Sequence, residues 1–492
     1  MKQFALASTI AITALTLLSP WLLNGAPYIG DSWIHLKKAE EIMSSGRLSL
    51  VEYNDMWPLV NLLLAFYSSI LNINPLISTQ VIPFLASLSA LNLYIIAKEV
   101  SKSWEVGVAS RLALAFTPIY TFITFGSAIM KETASLYLAT ILMAYAISNR
   151  LKYPCFTLLA LGLVLGHHFA SLAIAIFLAT LTLEDLLDSL AGEETEWAKS
   201  MTATVIYGFF ASCWTLYTVF KIGWFAPIDL NSLTMIAWVW LGSYMISRLS
   251  KTGTLILQSV LIPLVFLAWR GHLHAIPTPV NPVSIWELRD LLVFSVPALL
   301  GVASYWKRRK LRSFLISTTA LIIFSLAWSL DASGLVIFTK SLHYYAVTLA
   351  IAFGLSASFI LKRRFGKMIL SIMLLYLILA SATGIMLALD GPGAYHQGEL
   401  LQMKALNNLL TDRTIMDVKL GYLAEYIGLE HTSFHRPKLG EYILLTKTDY
   451  THGVLLGYVW VKLSTLLPQE TRKLCDRVID GSYVKLLRTN VI

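Results

Sequence analysis

The stretch GDSWIHLKKAEEIMSSGRL, Gly30–Leu48, follows the first apolar segment of the chain and opens with an isolated aspartate, Asp31. A helix beginning near Ser32 would place four apolar side chains on one arc and most of the charged ones elsewhere: Trp33, Leu36, Ala39 and Met43. This pattern predicts an amphipathic helix in the membrane interface. At its head, Asp31 could simply stabilise the first turn. It could equally act as a base on a substrate that arrives with a lipid.

The rest of the chain is strongly apolar. Of its 492 residues 56% are hydrophobic and 14% charged, whereas soluble domains carry about 25% charged residues. Apolar segments of about 17–25 residues recur from residue 4 to residue 389, which predicts a mainly α, polytopic bundle of about 13 transmembrane helices. The net charge of +9 fits basic cytoplasmic loops, and no nucleic-acid partner is expected. The three cysteines lack metal-ligand spacing, so neither structural zinc nor a disulfide framework is expected.

Basic residues orient the chain, because they concentrate in cytoplasmic loops. The strongest runs are WKRRKLR, Trp306–Arg312, and LKRRFGK, Leu361–Lys367. With these inside, the first apolar segment is a helix with a cytoplasmic N-terminus, and WPLVNLLLAFYSSIL, Trp57–Leu71, is a helix dipping into the outer leaflet. We therefore expect a multi-pass protein of the cell membrane, with residues 24–76 as an extracytoplasmic loop.

The hydropathy falls after residue 389, which predicts a transmembrane domain over 1–389 and an extracytoplasmic domain over 390–492. In the second part short apolar runs alternate with a helical LGYLAEYIGL and with turn signals. This alternation is typical of a small α/β domain. This domain either recognises the acceptor or forms a stabilising cap over the membrane part.

Two short motifs place polar residues at the outer ends of helices. In SAIMKETASLYL, Ser127–Leu138, Lys131 and Glu132 precede an apolar run, as functional intramembrane charges or as a snorkelling lysine with a first-turn glutamate. In LGHHFAS the chain turns between two short helices at His167 and His168. Imidazoles and free backbone N–H groups there suit an anion such as phosphate, although buried structural histidines would look the same.

Two further segments complete the outer face. TKSLHYYAV, Thr339–Val347, opens a helix with Lys340, His343, Tyr344 and Tyr345, which are either site residues or an aromatic belt. The loop RGHLHAIPTPVNPVSIWELRD, Arg270–Asp290, is long and rich in Pro and His, so it is either a substrate-ordering segment or a plain connection.

In this order the motifs resemble the GT-C superfamily of membrane glycosyltransferases, in particular the protein O-mannosyltransferase and aminoarabinose transferase branch. The resemblance implies that Asp31 is the catalytic acidic residue and that Glu132, or its neighbour Lys131, is the second charged residue of the cavity. YNDMWPLVNLLLAFYSSI, which begins at Tyr53, looks like the family's aromatic-Pro-Leu segment. LGLVLGHHFAS occupies the place of the turn near the lipid phosphate, and HYYAVTLAIAF that of a late Arg-Tyr helix, with His343 in the arginine's place.

The chain departs from the family pattern in three ways. Ser32 follows Asp31 where a second acid is usual, histidines replace expected basic residues, and the Trp-Trp-Asp-Tyr type motif of oligosaccharyltransferases is absent. The last difference argues against transfer of a whole glycan to asparagine.

The function expected from these observations is transfer of a sugar from a polyprenyl phosphate to an extracytoplasmic protein, lipid or glycan, with inversion. Asp31 would be the base and Glu132 a second catalytic residue. The residues expected to bind substrate are Lys131, His167, His168, Arg270, His343, Tyr344 and Tyr53. No cofactor is required by the sequence, although a divalent metal between Asp31 and Glu132 stays open. The alternatives are a transporter or lipid flippase that uses the same charges, and an envelope receptor or assembly factor.

Overall fold

The structure, a computed structural model, describes residues 2–117, 126–148, 152–223, 230–261, 285–328, 332–389 and 394–489, the last range with gaps at 409, 411–412, 436–437, 439–440, 453, 457–458, 462, 468–474 and 481–482. Its membrane part is helical. In chain order the helices are α1 (Lys2–Asn24), α2 (Asp31–Ser45), α3 (Leu59–Leu71), α4 (Pro75–Ser78), α5 (Val81–Ser87), α6 (Ser89–Ser101), α7 (Trp104–Ala115), α8 (Lys131–Ile147), α9 (Tyr153–Val164), α10 (His168–Leu190), α11 (Trp197–Ile222), α12 (Leu230–Leu249), α13 (Ile285–Tyr305), α14 (Arg309–Trp328), α15 (Ala332–Ile360) and α16 (Gly366–Leu389).

Six stretches of helix in the described residues are long and apolar enough to cross a membrane, and the predicted polytopic helical bundle is confirmed. The expected break at His167 is present, because α9 and α10 are separate helices. α3 has 13 residues and at about 1.5 Å per residue is shorter than a bilayer core. Its length is therefore compatible with the predicted dip into one leaflet.

The bundle core forms around α15, which packs against α7, α13 and α14. Apolar side chains from most of the helices make one continuous cluster in which Ile351 and Phe314 are fully buried. Some hydroxyl groups inside it bond to the carbonyl four residues earlier, as Thr180 does to Ile176 at 2.6 Å and Thr318 to Phe314 at 2.7 Å. These bonds satisfy the hydroxyl donors of the two threonines within the bundle.

One end of the bundle gathers the basic clusters. Glu184, fully buried near the end of α10, contacts Arg248 of α12 at 3.2 Å and Arg312 of α14 at 2.8 Å. Lys310 donates to the carbonyl of Ile147 at the end of α8, at 2.5 Å. The acidic stretch that begins at Glu184 therefore lies at the same end of the bundle as Arg248 and Arg312. The predicted topology likewise places this stretch and the basic loops on one side of the membrane.

The C-terminal part is a small α/β domain, as predicted. Its elements are α17 (Gln397–Asn407), β1 (Thr414–Met416), α18 (Val418–Ile427), β2 (His431–Ser433), β3 (Tyr442–Thr446), α19 (Lys447–His452), β4 (Val454–Leu456), β5 (Val459–Val461), α20 (Leu463–Leu466), β6 (Cys475–Asp480) and β7 (Val484–Thr489). Five strands form a sheet in the order β2-β1-β3-β7-β6, with β1 parallel to β2 and β3 and the remaining pairs antiparallel. β4 and β5 form a separate antiparallel pair.

Helix α2 belongs to the core of this domain, which differs from the predicted interfacial helix. Trp33 and Leu36 of the apolar arc are at most 1% exposed and share a cluster with Met403 and Leu420 of the C-terminal domain. Met43 near the end of the helix is 38% exposed. The amphipathic pattern was correct, but the C-terminal domain covers Trp33 and Leu36, and Ala39 packs against Val60 and Leu64 of α3.

Candidate active site

Asp31 is the first residue of α2 and lies in its first turn, with Gly30 at the cap position. Its Oδ1 atom contacts the Nζ atom of Lys419 from α18. The backbone packs tightly here, because a Cβ atom on Gly30 would lie 2.6 Å from Cβ of Lys419. The glycine before the aspartate therefore lets the C-terminal domain place a lysine directly on Asp31.

Lys419 is held in place from several sides. Asp417 caps α18 by accepting hydrogen bonds from the backbone N–H groups of Lys419 at 2.7 Å and Leu420 at 3.2 Å. The Lys419 ammonium also lies 5.2 Å from the ring centroid of Tyr422. Burial is the largest single influence on the pKa of Lys419 and lowers it, but Asp31, Tyr422 and Asp417 together raise the pKa above its usual value. Lys419 is therefore an ammonium ion at neutral pH.

Glu132, in the first turn of α8, forms a second ion-pair group. Its Oε1 atom lies 2.5 Å from Nζ of Lys340 on α15 and 3.1 Å from Nε2 of His167. The Lys340 and His167 nitrogens are 3.5 Å apart. All three side chains are largely buried, so one carboxylate holds two nitrogen groups at the end of the bundle opposite the Glu184 network.

His167 has its orientation fixed by the helix that it precedes. Its Nδ1 atom accepts a hydrogen bond from the N–H of Ala170 at 3.3 Å, which leaves Nε2 to face Glu132. A Cβ atom on Gly166 would lie 2.8 Å from Oγ of Ser135 on α8. The close approach at this glycine brings the turn, and with it His167, against the start of α8. Because His167 caps α10 itself, one backbone N–H group expected to be free for phosphate is already bonded.

Lys131 lies beside Glu132 but is surrounded by neutral groups. Its Nζ atom donates to Oδ1 of Asn54 at 3.1 Å and lies 4.6 Å and 5.4 Å from the ring centroids of Tyr53 and Trp57. The side chain is 5% exposed. Electrostatically it is within reach of both Asp31 and Glu132.

His168 completes the aromatic wall around this lysine. Its ring centroid lies 4.7 Å from that of Trp57, 6.3 Å from that of Tyr53 and 4.5 Å from that of His167. The predicted residues Tyr53, Lys131, Glu132, His167 and His168 are thus brought into one neighbourhood.

Two contacts join this neighbourhood to Asp31. The Oγ atom of Ser32 accepts a hydrogen bond from the N–H of Ile129 at 3.3 Å. His35, one turn after Asp31, bonds through Nδ1 to Oδ1 of Asn61 at 2.8 Å. Burial, together with the charge of Lys131, lowers the pKa of His35 to about 4, so this imidazole is neutral at neutral pH.

The late helix contributes Lys340, which contacts Glu132 and His167. His343 is buried on α15, and Tyr344 has its ring centroid 6.2 Å from that of Phe169. Arg270 lies outside the described residues.

An open cavity of about 440 Å³ adjoins α2 on the side of Asn61. Most of the residues that line it are polar, among them Lys38, Glu41, Asp55 and Asn61, and Ile42 and Leu48 add apolar surface. Because Asn61 also binds His35, the cavity and the charged neighbourhood share a wall.

A divalent metal does not fit the donor set. Asp31 is paired with Lys419, and Glu132 with Lys340 and His167. In the part of the chain that the structure describes, no three His, Cys, Asp or Glu side chains are grouped to hold a metal ion. Lysine ammonium groups take the positions next to both carboxylates, where a metal would need free oxygen ligands.

Two contacting residues, His35 and Lys419, were not predicted as site residues, and Lys340 was predicted only as one of two alternatives. The signal for Lys340 and His35 is a polar residue at the outer end of a helix. Lys419 has no local signal, because its partner Asp31 is 388 positions away in the chain.

No protein-family model matches the sequence, and no curated protein matches it. Several solved structures do match the fold. The Archaeoglobus fulgidus oligosaccharyltransferase in complex with Zn and sulfate matches at a TM-score of 0.59 and 13% identity, over 86% of this chain and 62% of that chain. The present chain thus spans less than two thirds of that protein.

Two further matches have the same fold. One is AglB from Archaeoglobus fulgidus in complex with an inhibitory peptide and a dolichol-phosphate, at a TM-score of 0.56 and 12% identity, over 86% of this chain and 63% of that chain. The other is ArnT from Cupriavidus metallidurans in the apo state, at a TM-score of 0.51 and 8% identity, over 98% of this chain and 97% of that chain. The fold that these solved structures share with the chain is the polytopic GT-C fold. The chain is a membrane protein with the GT-C fold.

Proposed function

We propose that this protein is a membrane glycosyltransferase that moves a sugar from a polyprenyl phosphate to an extracytoplasmic acceptor with inversion. The observation that carries the proposal is one charged neighbourhood, built from Asp31, Lys131, Glu132, Lys340 and Lys419, at one end of a GT-C fold. The likeness of this chain in fold to AglB supports a polyprenyl-phosphate donor, since the AglB structure contains a dolichol-phosphate.

Asp31 is the proposed base. Lys419 holds Oδ1 of its carboxylate, so Oδ2 is the oxygen assigned to the proton of the acceptor hydroxyl. The acceptor oxygen then attacks the anomeric carbon, the bond from that carbon to the phosphate oxygen breaks, and the phosphate leaves with the electron pair. Attack from the side opposite the phosphate inverts the configuration.

The leaving phosphate gains negative charge, and fixed cations near it lower the barrier. We assign this task to Lys131 and Lys340, with His167 as a further donor. Glu132 orients Lys340 and His167 by contacting both of them, at 2.5 Å and 3.1 Å. It is therefore a positioning residue in this scheme. The sequence-based assignment of Glu132 as catalytic changes accordingly.

The aromatic groups Tyr53, His168 and Tyr344 are proposed to line the donor site, and Arg270 and His343 stay candidates from the sequence. The polar cavity beside Asn61 is the proposed approach for the acceptor, since it reaches the charged neighbourhood through His35. This arrangement suits a hydrophilic acceptor bearing a hydroxyl group.

The test is sugar transfer by the purified full-length chain, supplied with a panel of polyprenyl-phosphate sugars. Asp31→Asn keeps the size of the side chain and removes the base, so transfer should fall at least ~100-fold. Glu430→Gln, an exposed acid on the C-terminal domain, is the control and should keep wild-type activity. If wild type transfers no sugar from any donor, or D31N is as active as wild type, the proposal fails. Lipid flipping by the same protein in vesicles would then favour the flippase alternative.

A further inference from the structure

We infer that the ammonium group of Lys131 is the fixed cation of this site and that the site works without a bound divalent metal. The inference rests on the proposed function, because it assigns the charge that faces the donor phosphate.

The first argument is the way in which Lys131 is held. Its Nζ atom has an amide oxygen, Asn54 Oδ1, at 3.1 Å and the ring faces of Tyr53 and Trp57 on two further sides. The face of each ring attracts a desolvated cation through its quadrupole. These partners are neutral, so they fix the position of the ammonium and leave its charge available to a ligand.

The second argument is that the carboxylates already have cationic partners. Asp31 is paired with Lys419, and Glu132 with Lys340. Asp55, the next acid within reach of Lys131, contacts Lys38 at 3.4 Å and accepts hydrogen bonds from the N–H groups of residues 51 and 52. A metal would have to displace a lysine from each carboxylate that it used.

The third argument is the charge of the neighbourhood. Lys131, Lys340 and Lys419 face two carboxylates, Asp31 and Glu132, which leaves one positive charge in excess. Lys38 pairs with the buried Asp55 and also with the exposed Glu41 and Glu52. Charges in a partly buried site interact more strongly than they do in bulk water. The excess positive charge repels a divalent cation and attracts a phosphate ester. The chemistry of the site therefore selects the phosphate group of the donor and disfavours Mg²⁺, Mn²⁺ or Zn²⁺.

The test uses the purified full-length protein in detergent after washing with EDTA. Free Mn²⁺, measured by electron paramagnetic resonance, should stay unbound at up to ten equivalents. The rate of sugar transfer should be the same in EDTA as with added Mg²⁺, Mn²⁺ or Zn²⁺. Stoichiometric Mn²⁺ binding that disappears in D31N, or activity that EDTA removes and metal restores, would overturn the inference and leave the proposed function standing.

Lys131→Gln tests the role of the charge itself. We expect transfer to fall by ~100-fold or more, as when one transition-state donor is removed, while Lys37→Gln, an outer-face lysine paired with Glu425, stays within about 2-fold of wild type. Wild-type activity in K131Q would refute the role of this lysine. If wild type transfers no sugar from any donor, the proposed function fails, and the Mn²⁺ titration alone still decides whether this cluster binds metal.

Discussion

The ammonium group of Lys419 contacts the carboxylate of Asp31 although the two residues are 388 positions apart in the chain. One belongs to the first helix after the first membrane segment, and the other to the C-terminal domain. Gly30, the residue before Asp31, has no side chain and so leaves room for Lys419 to approach. Both segments of the chain are therefore shaped for this contact. The C-terminal domain is thus a part of the candidate site and not only a cover above it.

Replacing Lys419 by Met should lower the rate of sugar transfer by ~10-fold or more. The ammonium holds Oδ1 of Asp31, so without it the carboxylate is no longer fixed in the position from which it takes the acceptor proton. The measurement is the transfer rate from pH 4 to pH 9 with saturating donor.

Lys37→Met is the control for this experiment. Lys37 pairs with Glu425 at 3.3 Å across the same interface between α2 and α18, but it does not touch Asp31. Its loss should leave the transfer rate unchanged across this pH range. Equal rates for K419M and wild type would show that the Lys419 contact serves only to hold the domain.

Glu132→Gln should destabilise the protein, because it leaves two buried nitrogen groups without their carboxylate. Removing one partner of a buried pair costs about 3–5 kcal/mol. Lys340→Met should have a smaller effect, since His167 still contacts Glu132 at 3.1 Å.

The double variant E132Q/K340M separates the pair from its surroundings. We expect the double variant to lose less free energy of unfolding than the two single variants lose together, by about 1 kcal/mol or more. Unfolding followed by the intrinsic tryptophan fluorescence of the four proteins supplies the cycle. Additive effects would mean that Glu132 and Lys340 do not act as a pair.

How far the sequence predicts this site depends on where each residue lies. Asp31, Lys131, Glu132 and the two histidines stand at breaks between apolar segments, and a polar residue at such a place is visible locally. The residue Lys419 is on an amphipathic helix of a domain that looks ordinary in sequence, and only the folded chain brings it to Asp31.

Helix α2 shows a related limit. The period of its apolar residues correctly predicted which side is buried, since Trp33 and Leu36 are hidden. A period reports that a face avoids water and does not report what covers it. The sequence pattern predicted contact with lipid, and in the structure the C-terminal domain covers Trp33 and Leu36.

Glu399 makes the C-terminal domain sensitive to pH. It is fully buried, and its Oε2 atom accepts a hydrogen bond from the N–H of His396 at 2.6 Å. Burial raises the pKa of this carboxyl to about 8 from the usual 4.5. Between these values the folded chain keeps a proton that the unfolded chain has lost, so stability should fall as pH rises from about 4.5 to 8 and change little beyond.

Glu399→Gln should remove much of this dependence, because the amide is neutral and its oxygen can still accept from His396. The unfolding temperature of E399Q should exceed that of wild type at pH 8 and approach it at pH 5. Glu430→Gln, an exposed acid of the same domain, is the control. Parallel curves for E399Q and wild type across this range would show that the buried carboxyl does not titrate as argued.

The orientation of the chain can be tested with cysteine labelling. Cys155 is exposed at the start of α9, next to basic residues that predict a cytoplasmic loop. Lys438 is exposed in the C-terminal domain, which the same argument places outside. In a background that lacks Cys213 and Cys475, Cys155 and an added Lys438→Cys substitution can be compared in separate variants. A membrane-impermeant maleimide should label position 438 in right-side-out vesicles and Cys155 only in inverted ones. The reverse pattern would put Asp31 and its lysines on the cytoplasmic face, where an extracytoplasmic acceptor could not reach them.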